Sequence, residues 1–399
     1  MITALASLFL AATAQASFLY VSSYDGTVTT LDLKGTSSGR GAATVPLLRS
    51  VSSTHGCGGS PSWLTLDKAG STLFCADEGL TARNGSIWSF ETTGDGLRRL
   101  DQVMTLRGPV SGALYGKGRR GLAVAHYWSG TFTTWDVSDP SHLALVHTEQ
   151  YKLAKPGPIA DRQDASHPHE TVLDLTGNFM VVPDLGADTI YVFAVSNSAD
   201  LKLKALPSVH VKPGSGPRHV SFAARRGKTF MYVVTQLANT IIGYEVTYPG
   251  ASIKFKQLFT ISTHGVGGHV SNQVAAAEIA VSPDSRYLIV SSRRENSFSI
   301  PNFDPKNSTK IISDPLINFS IDAETGSLTR IQEVPCGGRV PRHFSFNKAG
   351  TLVAVGHQND GRVVLINRDP HTGKLGSFAG YANIAGPVTS VVFNEKLGS

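Results

Sequence analysis

The chain has 399 residues, 41% hydrophobic and 17% charged, a balance that excludes an intrinsically disordered chain and leaves ample material for a core. The formal net charge is +6, yet no run of five Lys/Arg and no basic stripe interleaved with aromatics occurs. Nucleic-acid binding is therefore not expected, and the excess arginine points to a small anionic molecule.

In chain order, residues 1–16 (MITALASLFLAATAQA) form a short apolar run closing on Ala14-Gln15-Ala16. This small-residue ending predicts a signal peptide and a secreted chain, the other reading being a buried first strand. Sequons at Asn84, Asn307 and Asn318 agree with a secreted glycoprotein. Three cysteines are too few for a disulfide scaffold. Cys57 and Cys75 flank one expected strand: either they pair in an oxidising compartment and leave Cys336 free, or all three are buried thiols. No later stretch approaches the ~20 apolar residues of a membrane span, so no membrane partner is expected.

Helix signals are scarce, whereas short β-rich runs with two-residue alternation recur between Gly, Asp, Asn and Pro. They repeat at a period near fifty residues. Copies read PSWLTLDKAGSTLFCADEG from Pro61, a weaker SGALYGKGRRGLAVAHYWSGTFTTWDV from Ser111, and HETVLDLTGNFMVVPDLGADTIYVF from His169. They continue as PRHVSFAARRGKTFMYVVTQLANTIIGYEV from Pro217, AEIAVSPDSRYLIVSSRRENSFSI from Ala277 and PRHFSFNKAGTLVAVGHQNDGRVVLIN from Pro341. A seventh copy is split: PVTSVVF from Pro387 supplies its first strand, and FLYVSSYDGTVTTLDL from Phe18 the rest. Such a split closes a ring and removes unpaired edges, so residues 17–399 are expected to form one all-β, seven-bladed β-propeller whose last blade joins the N- and C-terminal strands.

In a four-stranded antiparallel blade the first strand lines the channel, and its start lies level with the end of the second strand. The repeat places His169, Arg218, His219, Glu278, Arg342 and His343 at the starts of first strands. At the ends of second strands it places Asp77, Glu78, Asp184, Gln236, Arg293, Arg294 and His357. Convergent arginine and imidazole groups suit an anionic or carbonyl-bearing ligand. Plainer roles stay open: Arg218 and Arg342, both in Pro-Arg-His, as repeated structural clamps, and Glu278 as an acceptor for a neighbouring blade. His167 and His169 lack the further ligands of a recognisable metal set, so no metal is expected. With no nucleophile elbow, phosphate loop, dinucleotide fingerprint or HExxH motif, neither covalent catalysis nor a cofactor is expected.

At these rim residues the chain resembles the seven-bladed lactonase family, which includes propeller-type 6-phosphogluconolactonase and carboxy-cis,cis-muconate cyclase. The resemblance runs from about Phe18 to the last apolar strand. It is carried by His-Pro-His-Glu-Thr (167–171), Val-Pro-Asp-Leu-Gly-Ala-Asp (182–188), Gly-Pro-Arg-His (216–219), Ala-Ala-Glu-Ile (276–279) and Pro-Arg-His-Phe (341–344). It implies a catalytic His at His169 and substrate-binding arginines at Arg218 and Arg293. The family's Glu falls on Gln236, which orients a substrate but cannot act as a base. The expectation is a monomeric, metal-independent lactone hydrolase in which neutral His169, with a pKa near neutrality, activates water. Glu278, His219, Arg342, His343, Asp184 and His357 complete the expected substrate-binding set. A muconate-type cycloisomerase and a non-catalytic binding propeller are the alternatives.

Overall fold

The computed structural model describes residues 17–34, 36, 44–196, 200–271 and 273–395. The segment read as a signal peptide lies outside them. Among the described residues, seven antiparallel four-stranded sheets form the fold, with a single 3-10 turn at Lys117–Arg119 as the helical element. First strands touch their neighbours around the ring, except that Pro217–Arg225 meets the preceding blade through its second strand, Phe179–Asp184. The first strands are Pro61–Leu66, Pro109–Tyr115, Val172–Leu173, Pro217–Arg225, Ala275–Val281, Pro341–Phe346 and Val388–Glu395.

Closure follows the split copy. Val388–Glu395 pairs antiparallel with Ser17–Ser23, with Leu19 opposite Phe393 and Val21 opposite Val391, and Val28–Asp32 and Arg49–Thr54 complete that sheet. Middle strands are buried on both faces because each blade is sandwiched between two others, which is why MVV, VAV and LIV read as continuous apolar runs. The cores sit between blades: Phe179, Val181, Ile190 and Val192 of one meet Val220, Phe222, Met231 and Val233 of the next.

Two expectations change. The stretch SFSI does not supply a blade strand: Phe298–Ile300 pairs with Ile311–Ser313 in a separate hairpin, and Pro315–Ile321 takes the third place. The buried Asp314 carboxylate accepts the backbone N–H groups of Arg294, Asn296 and Val340, so the chain is tied down on either side of residues 295–314 and the hairpin is extruded between. Asn318 in that third strand is fully buried and its Nδ2 donates to the Gly373 carbonyl, leaving no room for a glycan, whereas Asn84 and Asn307 are exposed.

Cys57 and Cys75 are joined by a disulfide, and Cys336 is a buried free thiol.

Candidate functional site

Strand pairing brings the expected rim together. Pro61 pairs with Asp77, Pro217 with Thr235, Ala275 with Arg293 and Pro341 with His357. After Pro217 and after Pro341 the register slips by one residue, a β-bulge that falls on Arg218 and on Arg342. A bulge re-aims the extra side chain, and here it takes two arginines out of simple alternation. The residue before each proline has positive φ, Gly216 at 63° and Val340 at 58°. A Cβ on Gly216 would stand 2.5 Å from the Leu237 side chain, so glycine is required there, while the branched Val340 is held by its N–H to Asp314 at 2.7 Å.

A cavity of about 340 Å³ opens at this rim. Its wall includes His169, Gln236, Arg293 and Arg342 from the expected set, together with Glu78, Tyr127, Trp128, Arg162, Arg294 and Gln358. Arg293 is fixed by Nε and Nη2 donation to the Ala275 and Ala276 carbonyls at 3.1 and 2.9 Å. Arg342 lies over the Tyr24 ring, 5.7 Å from its centre. Glu78 accepts from the Tyr24 hydroxyl and from Trp128 Nε1. Arg162 comes from the long connection between the second and third blades, which Gln163 anchors by donating Nε2 to the Leu185 carbonyl and to Asp188.

Beneath the cavity wall lies a second layer. Arg218 is 1% exposed and its Nη1 donates to the Ala277 carbonyl at 2.6 Å, so this expected substrate-binding group stands behind the wall rather than in it. His219, Glu278 and His343 are likewise buried and do not line the cavity, a correction to their expected direct contact with substrate. They form a connected set: His219 Nδ1 is 2.9 Å from Glu278 Oε1, His219 Nε2 is 3.2 Å from His169 Nδ1, and His343 Nε2 is 3.7 Å from Glu278 Oε2. Trp63 packs edge-on against both His219 and His343. Glu170, which the sequence reading passed over, joins from the position after His169, just ahead of the strand Val172–Leu173: its Oε1 is 3.7 Å from His219 Nδ1, and its Oε2 accepts the Val220 N–H.

Asp184 and His357 are corrections of a different kind. Asp184 is fully buried and accepts from the N–H groups of His167 and Ala187 and from the Ser166 hydroxyl, so it ties a loop. His357 is fully buried between the Arg362 carbonyl and Cys336 Sγ. The reason is alternation at the strand end. In five blades the last residue of the second strand (Asp77, His126, Asp184, Thr235 or His357) turns into the blade, and in four of them the next residue (Glu78, Tyr127, Gln236 or Gln358) meets the cavity; Arg293, which ends the second strand Tyr287–Arg293, departs from this and lines the cavity itself. His167 faces away too, its ring nitrogens engaged by the Tyr127 carbonyl and Asp164.

Charge is one-sided. Four guanidiniums line the cavity (Arg162, Arg293, Arg294 and Arg342) against the Glu78 carboxylate. Burial, then the guanidiniums of Arg218, Arg342 and Arg293, hold the His169 imidazole well below the ordinary value, further than the near-neutral value expected. His169 is therefore a neutral imidazole at ordinary pH. Burial and mutual repulsion also push Arg218 down to about 9 and Arg293 well below its usual range. Guanidinium stays charged in proteins, so this crowding amounts to a standing demand for an anion.

Among the described residues, two groups have metal-ligand spacing: Glu170, His219 and Glu278 in the buried layer, and His264, Glu295 and Glu333 near the surface, with ligand atoms within 4.8 Å of one another in each. The buried group has Arg218 and Arg342 as charged neighbours, which disfavour a further cation there.

A family model described as Lactonase, 7-bladed beta-propeller matches residues 18–393. The chain is similar to an Arthroderma benhamiae protein named probable 6-phosphogluconolactonase, with 31% identity over 318 residues, 79% of this chain and 75% of the relative. It is similar also to the 6-phosphogluconolactonase of Formosa agariphila, with 27% identity over 261 residues, 65% of this chain and 67% of the relative. Among solved structures, the periplasmic gluconolactonase of Pseudomonas aeruginosa superposes with a TM-score of 0.78 at 24% identity, covering 96% of this chain and 100% of that one. At that identity the likeness establishes the shared fold.

Proposed function

This chain belongs to the seven-bladed β-propeller lactonase family, and from that premise we propose that it hydrolyses a small lactone bearing an anionic group, with 6-phosphogluconolactone the first substrate to try. One observation carries the reading: a neutral imidazole, His169, sits in the wall of a cavity otherwise crowded with guanidinium groups. The relatives' names support the lactone, and the arginine lining supports its anionic group.

The chemistry follows from these groups. Water attacks the lactone carbonyl carbon as His169 takes one of its protons, and the carbonyl oxygen gains negative charge beside Arg293 and Arg342. The tetrahedral intermediate then collapses: the ring C–O bond breaks, and the departing oxygen takes the proton back from His169. The product is an open-chain hydroxy acid. Gln236 serves as a hydrogen-bonding group that orients the substrate. In this reading guanidinium charge, rather than a metal ion, stabilises the oxyanion.

Secretion belongs to the same proposal. The Cys57–Cys75 bond supports an oxidising compartment, and the exposed sequons at Asn84 and Asn307 are compatible with it. Acid release from paired phosphorylated and unphosphorylated aldonolactones tests the activity. Faster turnover of the anionic member supports the reading, and background rates with every lactone overturn it.

A further inference from the structure

The buried layer under the cavity has a direction. His169, His219 and Glu278 come from three adjacent blades and stand in a line, with contacts of 3.2 Å between the imidazoles and 2.9 Å from His219 to the carboxylate. We propose that Glu278 and His219 are positioning residues that fix the tautomer of His169 and accept, through it, the proton taken from the attacking water. The proposal rests on His169 acting as the base.

Hydrogen-bond bookkeeping selects one arrangement. Glu278 Oε1 also accepts the Ile279 N–H at 3.0 Å, so it faces His219 as an acceptor, and His219 Nδ1 must carry the hydrogen. Burial beside Arg218 keeps His219 neutral, which leaves its Nε2 with a lone pair. The contact between His219 Nε2 and His169 Nδ1 then requires the hydrogen on His169. His169 Nε2 is thereby left with its lone pair, the form a general base needs.

The groups facing Glu278 explain why, of the two buried carboxyls, it is the one that ionises first. They are His219, Glu170, His343, Arg218 and Arg342. Burial raises both carboxyls, Glu278 to about 8 against the opposing pull of Arg218 and Arg342, and Glu170 well above the carboxylate range with the neighbouring Glu278 adding to the rise. Of the pair, Glu278 is thus the one that ionises first and Glu170 the one that keeps its proton.

Each step balances. His169 Nε2 gains the proton from water, its Nδ1 proton passes to His219 Nε2, and the His219 Nδ1 proton passes to Glu278. One charge disappears from the carboxylate and none is left on an imidazole. That matters because an imidazolium beside Arg218, Arg293 and Arg342 is strongly disfavoured. The reverse sequence delivers the proton to the leaving ring oxygen. Glu278 so supplies, through two rings, the carboxylate that Gln236 lacks.

The test compares His169→Ala, His219→Gln and Glu278→Gln on the intact chain. Expected for Glu278→Gln and His219→Gln are a near-native melting curve, a KM within about twofold of wild type, and kcat lower by at least about 100-fold. The acid limb of kcat/KM in Glu278→Gln should move to lower pH. If His169→Ala is inactive while the other two retain wild-type kcat and pH profile, the relay is wrong and the activity stands. If His169→Ala is fully active, the base assignment itself has failed. A measurement on wild type covers variants that do not fold: 15N NMR of labelled histidines should show both His169 and His219 protonated at Nδ1. An Nε2–H tautomer on His169, or one equivalent of bound divalent metal at the buried Glu170–His219–Glu278 group, overturns the proposal.

Discussion

His219 Nε2 stands 3.2 Å from His169 Nδ1, so the imidazole in the cavity wall is continuous with a buried carboxylate that does not line the cavity. Around that contact the site divides into a wall that meets the ligand and a layer that tunes the wall. The two layers make different predictions.

Wall residues should discriminate by substrate charge. Arg293→Gln and Arg342→Gln are each expected to lower kcat/KM for a phosphorylated lactone by about 10- to 100-fold, the worth of a hydrogen bond to a charged group. The loss with an uncharged lactone should be smaller. Steady-state kinetics on the pair of substrates checks this, and equal losses on both would remove the anion-binding role.

Asp184 should behave as a fold residue. Asp184→Ala strands the His167 and Ala187 N–H groups and is expected to destabilise the chain by about 2 to 4 kcal/mol. Denaturant unfolding measures the loss, while KM at a temperature where the variant is folded should stay near wild type.

Three buried histidines set an acid limit on stability. Burial holds His126 and His357 down to about 4 and His343 down to about 3. An unfolded chain takes up these protons near pH 6.5 and the folded chain does not, so stability falls as pH drops from about 6.5 toward 4. Each group removes up to about 1.4 kcal/mol per pH unit in that window, and above pH 6.5 none contributes a slope. Guanidinium unfolding between pH 4 and 8 should show that decline, and a flat profile would contradict the burial.

The Cys57–Cys75 bond spans 18 residues, and opening it with a Cys57→Ala/Cys75→Ala variant is expected to cost about 3 kcal/mol. Calorimetry of the variant reads the change. Reductant should reproduce it in wild type and leave the variant unaffected, since Cys336 has no disulfide partner.

Much of the ring is written in the sequence because propeller blades are near-copies: Pro-Arg-His at 217 and 341 and the split seventh copy can be aligned by eye. What stays hidden is whatever breaks the two-residue alternation. The bulges at Arg218 and Arg342 add a residue without changing composition, so alternation alone cannot show which way those arginines point. At the ends of the second strands a one-residue offset decides the face. Gln236 lies in the cavity wall, whereas Asp184 and His357 lie inside their blades. Arg162 belongs to a connection without strand pattern, and only its anchor through Gln163 brings it to the cavity. Glu170 follows His169 directly, and nothing in single-strand periodicity assigns it a partner on the next blade.

The central claim is that His169 is the base of a lactone hydrolase. The most direct measurement is the rate of 6-phosphogluconolactone opening by wild type and by folded His169→Ala under identical conditions, corrected for spontaneous hydrolysis. A loss of at least about 100-fold in kcat, with the melting curve preserved, is the predicted result. Equal rates, or no opening above background by wild type, would contradict it.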